Sequence, residues 1–205
     1  MKLAGNTWLP DGDTYFGPFF EASDVFEGQN LKAALMYVQN FGIAVDGGAH
    51  VGSWTRYMAK LFDHVYAYEP HPENFACLVC NVEGLGNVHA AKVALSDQEG
   101  ATYLAAGNNG GSWHIANQGI EIVRAPLPDL GGLDFLKLDV EGFEEEALRG
   151  CAAQLAKYRP VVLIEERDLP HRKQDYGARK LLESLGYAER LRVRRDVIFT
   201  HERRA

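Results

Sequence analysis

Lys137, Asp139 and Glu141 alternate along Lys137-Leu-Asp-Val-Glu141, at the end of the apolar run that starts at Leu133. Alternate residues of a strand point to one side, so an ammonium and two carboxylates converge if the strand continues through position 141. Such a set suits proton transfer. Asp139 would accept a proton or hold a cationic group, Lys137 would keep it ionised, and Glu141 would bind a substrate hydroxyl. The competing reading is structural, with Lys137 and Glu141 as an ion pair at a helix start and Asp139 as its cap.

A second acidic set brings in a metal. Glu165 and Glu166 follow the apolar run Val161-Val-Leu-Ile164, and with Asp139 they would offer hard oxygen ligands suited to magnesium. Neighbouring strand residues point to opposite faces, so both serve only where the strand has ended. The favoured reading therefore has no metal, with Glu165 alone facing the site and Glu166 paired to Arg167 or solvent.

What must position these groups is the stretch Ile43-Ala-Val-Asp-Gly-Gly-Ala-His-Val-Gly52. A buried strand ends there, glycines allow a tight turn, and Ser53 to Leu61 has helical composition, the strand-turn-helix that cups a nucleotide-like ligand. Asp46 at the strand tip opposes a pyrophosphate and suits a cationic head, which favours S-adenosylmethionine over a nicotinamide dinucleotide. Glu69 ends the next apolar run, Val65-Tyr-Ala-Tyr68, where such folds place an acid on ribose hydroxyls.

Three blocks, Val45-Asp-Gly-Gly-Ala-His-Val-Gly52, Tyr68-Glu-Pro-His-Pro-Glu-Asn-Phe75 and Phe135-Leu-Lys-Leu-Asp-Val-Glu-Gly-Phe-Glu144, resemble the FkbM-type S-adenosylmethionine-dependent methyltransferases. The resemblance runs from about Phe41 to Glu166. It implies a Rossmann-like class I methyltransferase sheet with the cofactor on Asp46, Gly48, Ala49, His50 and Gly52, on Glu69, Pro70 and His71, on Leu95, and on Asp139. His50 departs from the family, which commonly has Asn there, and its side chain is expected over the methionine part of the cofactor.

A chain of 205 residues, 46% hydrophobic, suffices for one α/β domain with a proper core. A net charge of -7 argues against general nucleic-acid binding. The three cysteines, Cys77, Cys80 and Cys151, lack the paired clusters of a zinc site and point to a reducing compartment. With no signal peptide and no membrane-length apolar run, a cytoplasmic protein without membrane contact is expected.

The expected elements follow from periodicity. Residues 1–28 form an aromatic arm or lid without strand or helix period, and Gln29 to about Asn40 an amphipathic helix. Parallel strands end at Asp46, Tyr68, Ala94, Asp139 and Ile164, alternating with helices on both faces. Residues 100–128 read as an inserted hairpin whose tip carries Trp113 and His114. A helix from Glu144 to Tyr158 and another from Tyr176 to Leu185 precede an antiparallel C-terminal edge, which carries Arg190, Arg192, Arg194, Arg195, Arg203 and Arg204. The expected activity is O-methylation of a small hydroxylated molecule, such as a sugar. The alternatives are a silent cofactor-binding module in a larger assembly and a nicotinamide-dependent oxidoreductase.

Overall fold

The computed structural model describes residues 1–22, 28–106, 113–166 and 177–202. The hairpin tip at 107–112, Arg167, Tyr176, Arg203 and Arg204 lie outside the described residues.

The arm carries more order than its sequence suggests. Strands β1 (Lys2–Ala4) and β2 (Thr7–Leu9) pair antiparallel, and α1 (Gly17–Ala22) follows. Three-residue strands are too short to show alternation, although Thr7 and Leu9 are buried and Trp8 between them is exposed. The hairpin is tied down by polar bonds. The side chain of Asn81 accepts from Trp8 N (2.7 Å) and donates to Trp8 O (2.9 Å), while Arg56 donates to Asn6 O and Thr7 Oγ1. Asp13 accepts from the N–H groups of Phe16 and Gly17 and so starts α1.

Helix α2 (Gly28–Leu35) buries Leu31 and Ala34 as its period requires, but ends five residues before Asn40. Tyr37 N and Val38 N donate to carbonyls three residues back, which tightens the chain out of the helix.

Next come β3 (Ile43–Gly47), α3 (Ser53–Met58), β4 (His64–Tyr68), α4 (Pro72–Asn81) and β5 (Val88–Ala91). A detour follows through β6 (Ala94–Leu95), β7 (Gly100–Ala106), β8 (Trp113–Ala116) and β9 (Ile120–Ala125). The chain then returns as β10 (Phe135–Leu138), α5 (Glu144–Gly150), α6 (Ala152–Tyr158), β11 (Val161–Glu165), α7 (Gly177–Ser184), β12 (Tyr187–Val193) and β13 (Asp196–His201).

The main sheet has seven strands in the order β12-β13-β11-β10-β3-β4-β5. From β11 to β5 all neighbours are parallel, and β13 and β12 add antiparallel pairs, as expected for the C-terminal edge. Its apolar residues divide between two faces. Val45, Leu136, Leu138, Val162 and Ile164 pack with Leu148 and Leu155 of α5 and α6. Ala44, Phe135, Val161 and Leu163 pack with Leu31 of α2 and with Trp54 and Met58 of α3. The fold is thus mixed α/β and Rossmann-like, with a largely parallel sheet and helices on both faces.

Two expectations need correction. The run through Ala94 is not one strand: β5 ends at Ala91, and Ala94 and Leu95 pair with β9 in a second sheet of order β6-β9-β7-β8. The inserted region is therefore three strands that recruit a fourth, because the turn after β5 carries the chain out of the main sheet. Nor is 144–158 one helix. It breaks at Cys151, beside Gly150, where a side chain would stand 2.2 Å from Ser96 O, so the second sheet presses on the helix at that point. Among the described residues no helix is long and apolar enough to cross a membrane.

Candidate active site

The ends of β3, β4 and β10 are joined by main-chain bonds around the glycine turn. Gly48 N and Ala49 N both donate to Tyr68 O (2.9 and 3.0 Å), and Asp139 N donates to Gly47 O (3.1 Å). Gly48 has φ +73°, and a Cβ there would lie 1.9 Å from Asp139 O. His50 also has positive φ (53°), a conformation that costs a non-glycine residue roughly 1–3 kcal/mol. Its N–H donates to Glu69 Oε2 at 2.8 Å, which helps to hold the turn.

Glu69 is buried, and its other oxygen accepts from His71 N at 2.8 Å. Burial outweighs these two bonds, the charge of Lys137 and a side-chain bond from Asn74, and pushes its pKa up to about 7. Each oxygen takes one backbone N–H, and a carboxylate with about four lone-pair sites keeps acceptor capacity beyond these and the Asn74 bond. His71 caps α4 by accepting from Asn74 N, and burial lowers its pKa. The His50 ring packs 4.8 Å from that of Phe16, and burial takes its pKa down to about 4, so it stands as a neutral imidazole.

A cleft opens above these strand ends, between the arm and the second sheet. Of the residues singled out in the sequence, it is lined by Gly48, Ala49, His50, Glu69, Pro70, Leu95, Trp113, Lys137, Asp139 and Glu141. Asp46, Gly52, His71, Glu165 and Glu166 are not on its wall. Phe16 of the aromatic arm is, and so are Trp54, Phe143 and Asp196, for which the sequence offers no place at the site.

Asp46 corrects the reading of a strand-tip acid aimed at the cofactor. It is 0% exposed and lies on the α2/α3 side of the sheet, opposite Lys137 in the β3–β10 register. Lys137 Nζ is 3.0 Å from Asp46 Oδ1, donates to Gly48 O at 2.7 Å and lies over the Trp54 ring. The contact to Oδ1 is an ion pair by distance and not an aligned hydrogen bond, while Oδ2 accepts from Thr55 Oγ1 at 2.6 Å. Burial pulls the Lys137 pKa down, but the charges of Asp46 and Asp139 more than offset it, and the net shift is upward. The principal partner of Lys137 is thus Asp46 and not Asp139. Together they form a strut beneath the glycine turn.

Strand β10 ends at Leu138, and Glu141 (φ 57°) and Gly142 (φ 95°) turn the chain, so Glu141 reaches the cleft from a turn and not from a continued strand. Glu144, which the sequence marked only as the end of a motif block and the start of a helix, holds that turn: its Oε1 accepts from Val140 N (3.1 Å) and Gly142 N (3.2 Å). The available signal was an acid in the first turn of a helix just after a glycine. The three carboxylates of the metal reading do not meet. Glu166 takes both forks of Arg179 (3.1 Å each) and Arg192 (2.5 Å), away from the cleft. Burial, then Asp139, Glu144 and Asp196, push Glu165 up to about 9. Among the described residues, no group of three or more His, Cys, Asp or Glu side chains is placed to hold a metal ion.

Carboxyls whose pKa is raised by burial reverse the usual dependence of stability on pH. Glu144 and Glu69 titrate near 7 in the folded chain against an ordinary value of 4.5. Between these values the folded state binds more protons than the unfolded one, so stability is fullest below the lower pKa and falls as pH rises through the upper. The urea midpoint should be lower at about pH 7.5 than at about pH 5.5. Glu144→Gln keeps the Oε1 acceptor and should flatten that slope. A slope identical to that of the native chain would show Glu144 ionised throughout.

A Rossmann-like sheet with a glycine turn after β3, a buried acid after β4 and a cleft-lining acid after β10 has the layout of a class I methyltransferase. Residues 46–189 match the methyltransferase FkbM domain, and the chain belongs to that family. Among solved structures it is similar to the methyltransferase FkbM from Methylobacillus flagellatus, with 20% identity and a TM-score of 0.53. That alignment covers 78% of this chain and 43% of the other, so this chain spans less than half the length of that relative. It is also similar to a SAM-dependent methyltransferase from Aquifex aeolicus, with 20% identity, 86% and 90% coverage and a TM-score of 0.52. A third similar structure is the precorrin-6y C5,15-methyltransferase from Geobacter metallireducens, with 16% identity, 84% and 83% coverage and a TM-score of 0.52. At these identities the structures attest the fold. No curated protein matches the chain.

Proposed function

We propose that the chain transfers a methyl group from S-adenosylmethionine to a hydroxyl oxygen of a small molecule such as a sugar, with Asp139 as the base. The observation that carries this reading is the division of labour between two acids on neighbouring strands. Asp46 occupies Lys137, whereas Asp139 lines the cleft and its carboxylate accepts no hydrogen bond among the described residues.

The residues present fit the cofactor. Glu69 offers acceptor capacity on both oxygens to a ribose diol, and the Gly48 backbone borders the cleft without a side chain in the way. Bound S-adenosylmethionine supplies a methyl carbon on a sulfonium sulfur, and its transfer to a hydroxyl leaves S-adenosylhomocysteine and one proton. Asp139 takes that proton as the oxygen becomes nucleophilic, and Glu141 binds and orients the hydroxyl-bearing partner. Phe16, Trp54 and Phe143 keep water from the reacting centre. With Asp139, Glu141 and Asp196 on the wall, an anionic acceptor is disfavoured, which supports a neutral hydroxylated one. Family membership weighs against the oxidoreductase alternative.

The test is methyl transfer to a library of neutral hydroxylated acceptors, read by product mass. Asp139→Asn keeps the shape and removes the base, and should lower kcat by about 100-fold or more while changing cofactor affinity far less. A rate within about threefold of native would move the base elsewhere. Binding of S-adenosylmethionine without product from any acceptor would favour the silent module.

A further inference from the structure

The cleft is divided by chemistry. Lys137, Asp139, Glu141 and Asp196 gather where β10 and β13 meet it, whereas among the described residues the second sheet contributes the apolar Ala94, Leu95, Leu104, Trp113 and Ile115. Glu69 and Pro70 lie on the same wall. A planar apolar group attached to a diol would fit such an arrangement, with its hydroxyls on Glu69 and its ring toward the second sheet.

We propose that Trp113 is a stacking wall for the adenine of the cofactor, so that the second sheet is part of the cofactor site. This rests on the methyltransferase reading above. Three observations place the indole for that role. Trp113 begins β8 opposite Ala106 and packs with Ala94, Leu104 and Ile122, so it is fixed to the second sheet. Its ring stacks on that of His71, centroids 4.1 Å apart and planes 28° from parallel. The backbone N–H of His71 donates to Glu69, and its ring caps α4, so the loop that carries the ribose acid also sets the plane of the indole. The half-buried indole borders the cleft on one side and meets this imidazole on another. Burial lowers the His71 pKa and so favours a neutral ring, which suits a stack without charge.

This assignment explains why the chain leaves the main sheet at β6. Leu95 borders the cleft from the strand that joins the two sheets, and Gly150 lies against Ser96 O one residue later, which seats the second sheet on α5. Trp113 is a positioning residue, acting on the cofactor and not on the transferred methyl.

The experiment titrates native protein, Trp113→Phe and Trp113→Ala with S-adenosylhomocysteine and with adenosine, by calorimetry and by tryptophan emission. The native chain should bind both ligands with quenched emission. Trp113→Ala should lose about tenfold or more in affinity for both, in similar proportion, because the contact is to the base they share. Trp113→Phe should keep affinity to within about threefold yet lose most of the quenching. A folded Trp113→Ala chain with native affinity for both ligands would overturn the proposal. So would undiminished quenching in Trp113→Phe, which would place the reporter at Trp8 or Trp54; this variant also serves where the alanine chain fails to fold. A native chain that binds neither ligand overturns the cofactor reading and this assignment together, whereas native binding with indifferent variants overturns the assignment alone.

Discussion

Gly48→Ala should abolish binding of S-adenosylhomocysteine, with no heat detected in a titration that saturates the native chain. Two effects act together. The position has φ +73°, which L side chains rarely adopt, and the added Cβ would fall 1.9 Å from Asp139 O. That oxygen is backbone, so it cannot swing aside as a side chain would. Relief requires the ends of β3 and β10 to separate, which breaks the bond from Asp139 N to Gly47 O and moves the proposed base. A strained positive-φ residue alone costs about 1–2 kcal/mol, and a forced displacement of packed backbone adds more. Melting in parallel separates the outcomes: a modest loss of stability with complete loss of binding is expected. Native affinity in a folded Gly48→Ala chain would mean that the turn is not where the cofactor sits.

Lys137→Met should be the most destabilising single change among the cleft residues, by about 3–5 kcal/mol, because it strands a fully buried carboxylate. Asp46 would keep only the Thr55 hydroxyl, and Gly48 O would lose its ammonium donor. The reciprocal experiment shows that the loss is electrostatic. Asp46→Asn with Lys137→Met removes both charges at nearly constant volume and should recover much of the stability, while the glycine turn remains less well held than in the native chain. Urea unfolding of the native, the two single and the double variants gives the coupling directly. Additive losses would show that the pair is not coupled, and Lys137 would then return as a candidate for direct chemistry.

What could be read from residues alone was local. The glycine turn, Glu69 at a strand end and Asp139 at another are each announced by an apolar run that stops at a polar residue, and all three fall at the cleft or beside it. Asp46 announces itself in the same way, yet it is covered. Whether a strand-tip acid faces a ligand or the packing beneath it depends on which face the strand presents and on what stands next to it. The neighbour, Lys137, is set by a register between residues 91 positions apart in the chain. The same blindness to register hid the second sheet, since nothing in Ala94-Leu95 says that its partner is Arg124-Ala125. Asp196 was missed because a lone acid after two arginines looks like a surface turn. Its place on the cleft follows from β13 inserting between β11 and β12, and Asn30 Nδ2 then donates to it at 2.7 Å.

That last bond ties the site to the order in which the chain is made. The cleft wall takes Phe16 from early in the sequence and Asp196 from late in it, and the strand carrying Asp196 enters between two others instead of adding to an edge. A ribosome that has emitted everything up to β11 has exposed a sheet with one flank still open and a cleft with one wall missing. Long-range pairings of this kind form late and slowly. An aborted or clipped chain lacking β13 would therefore hold most of the motif residues without a finished cleft around them, and the proposed activity would require translation to have passed residue 196.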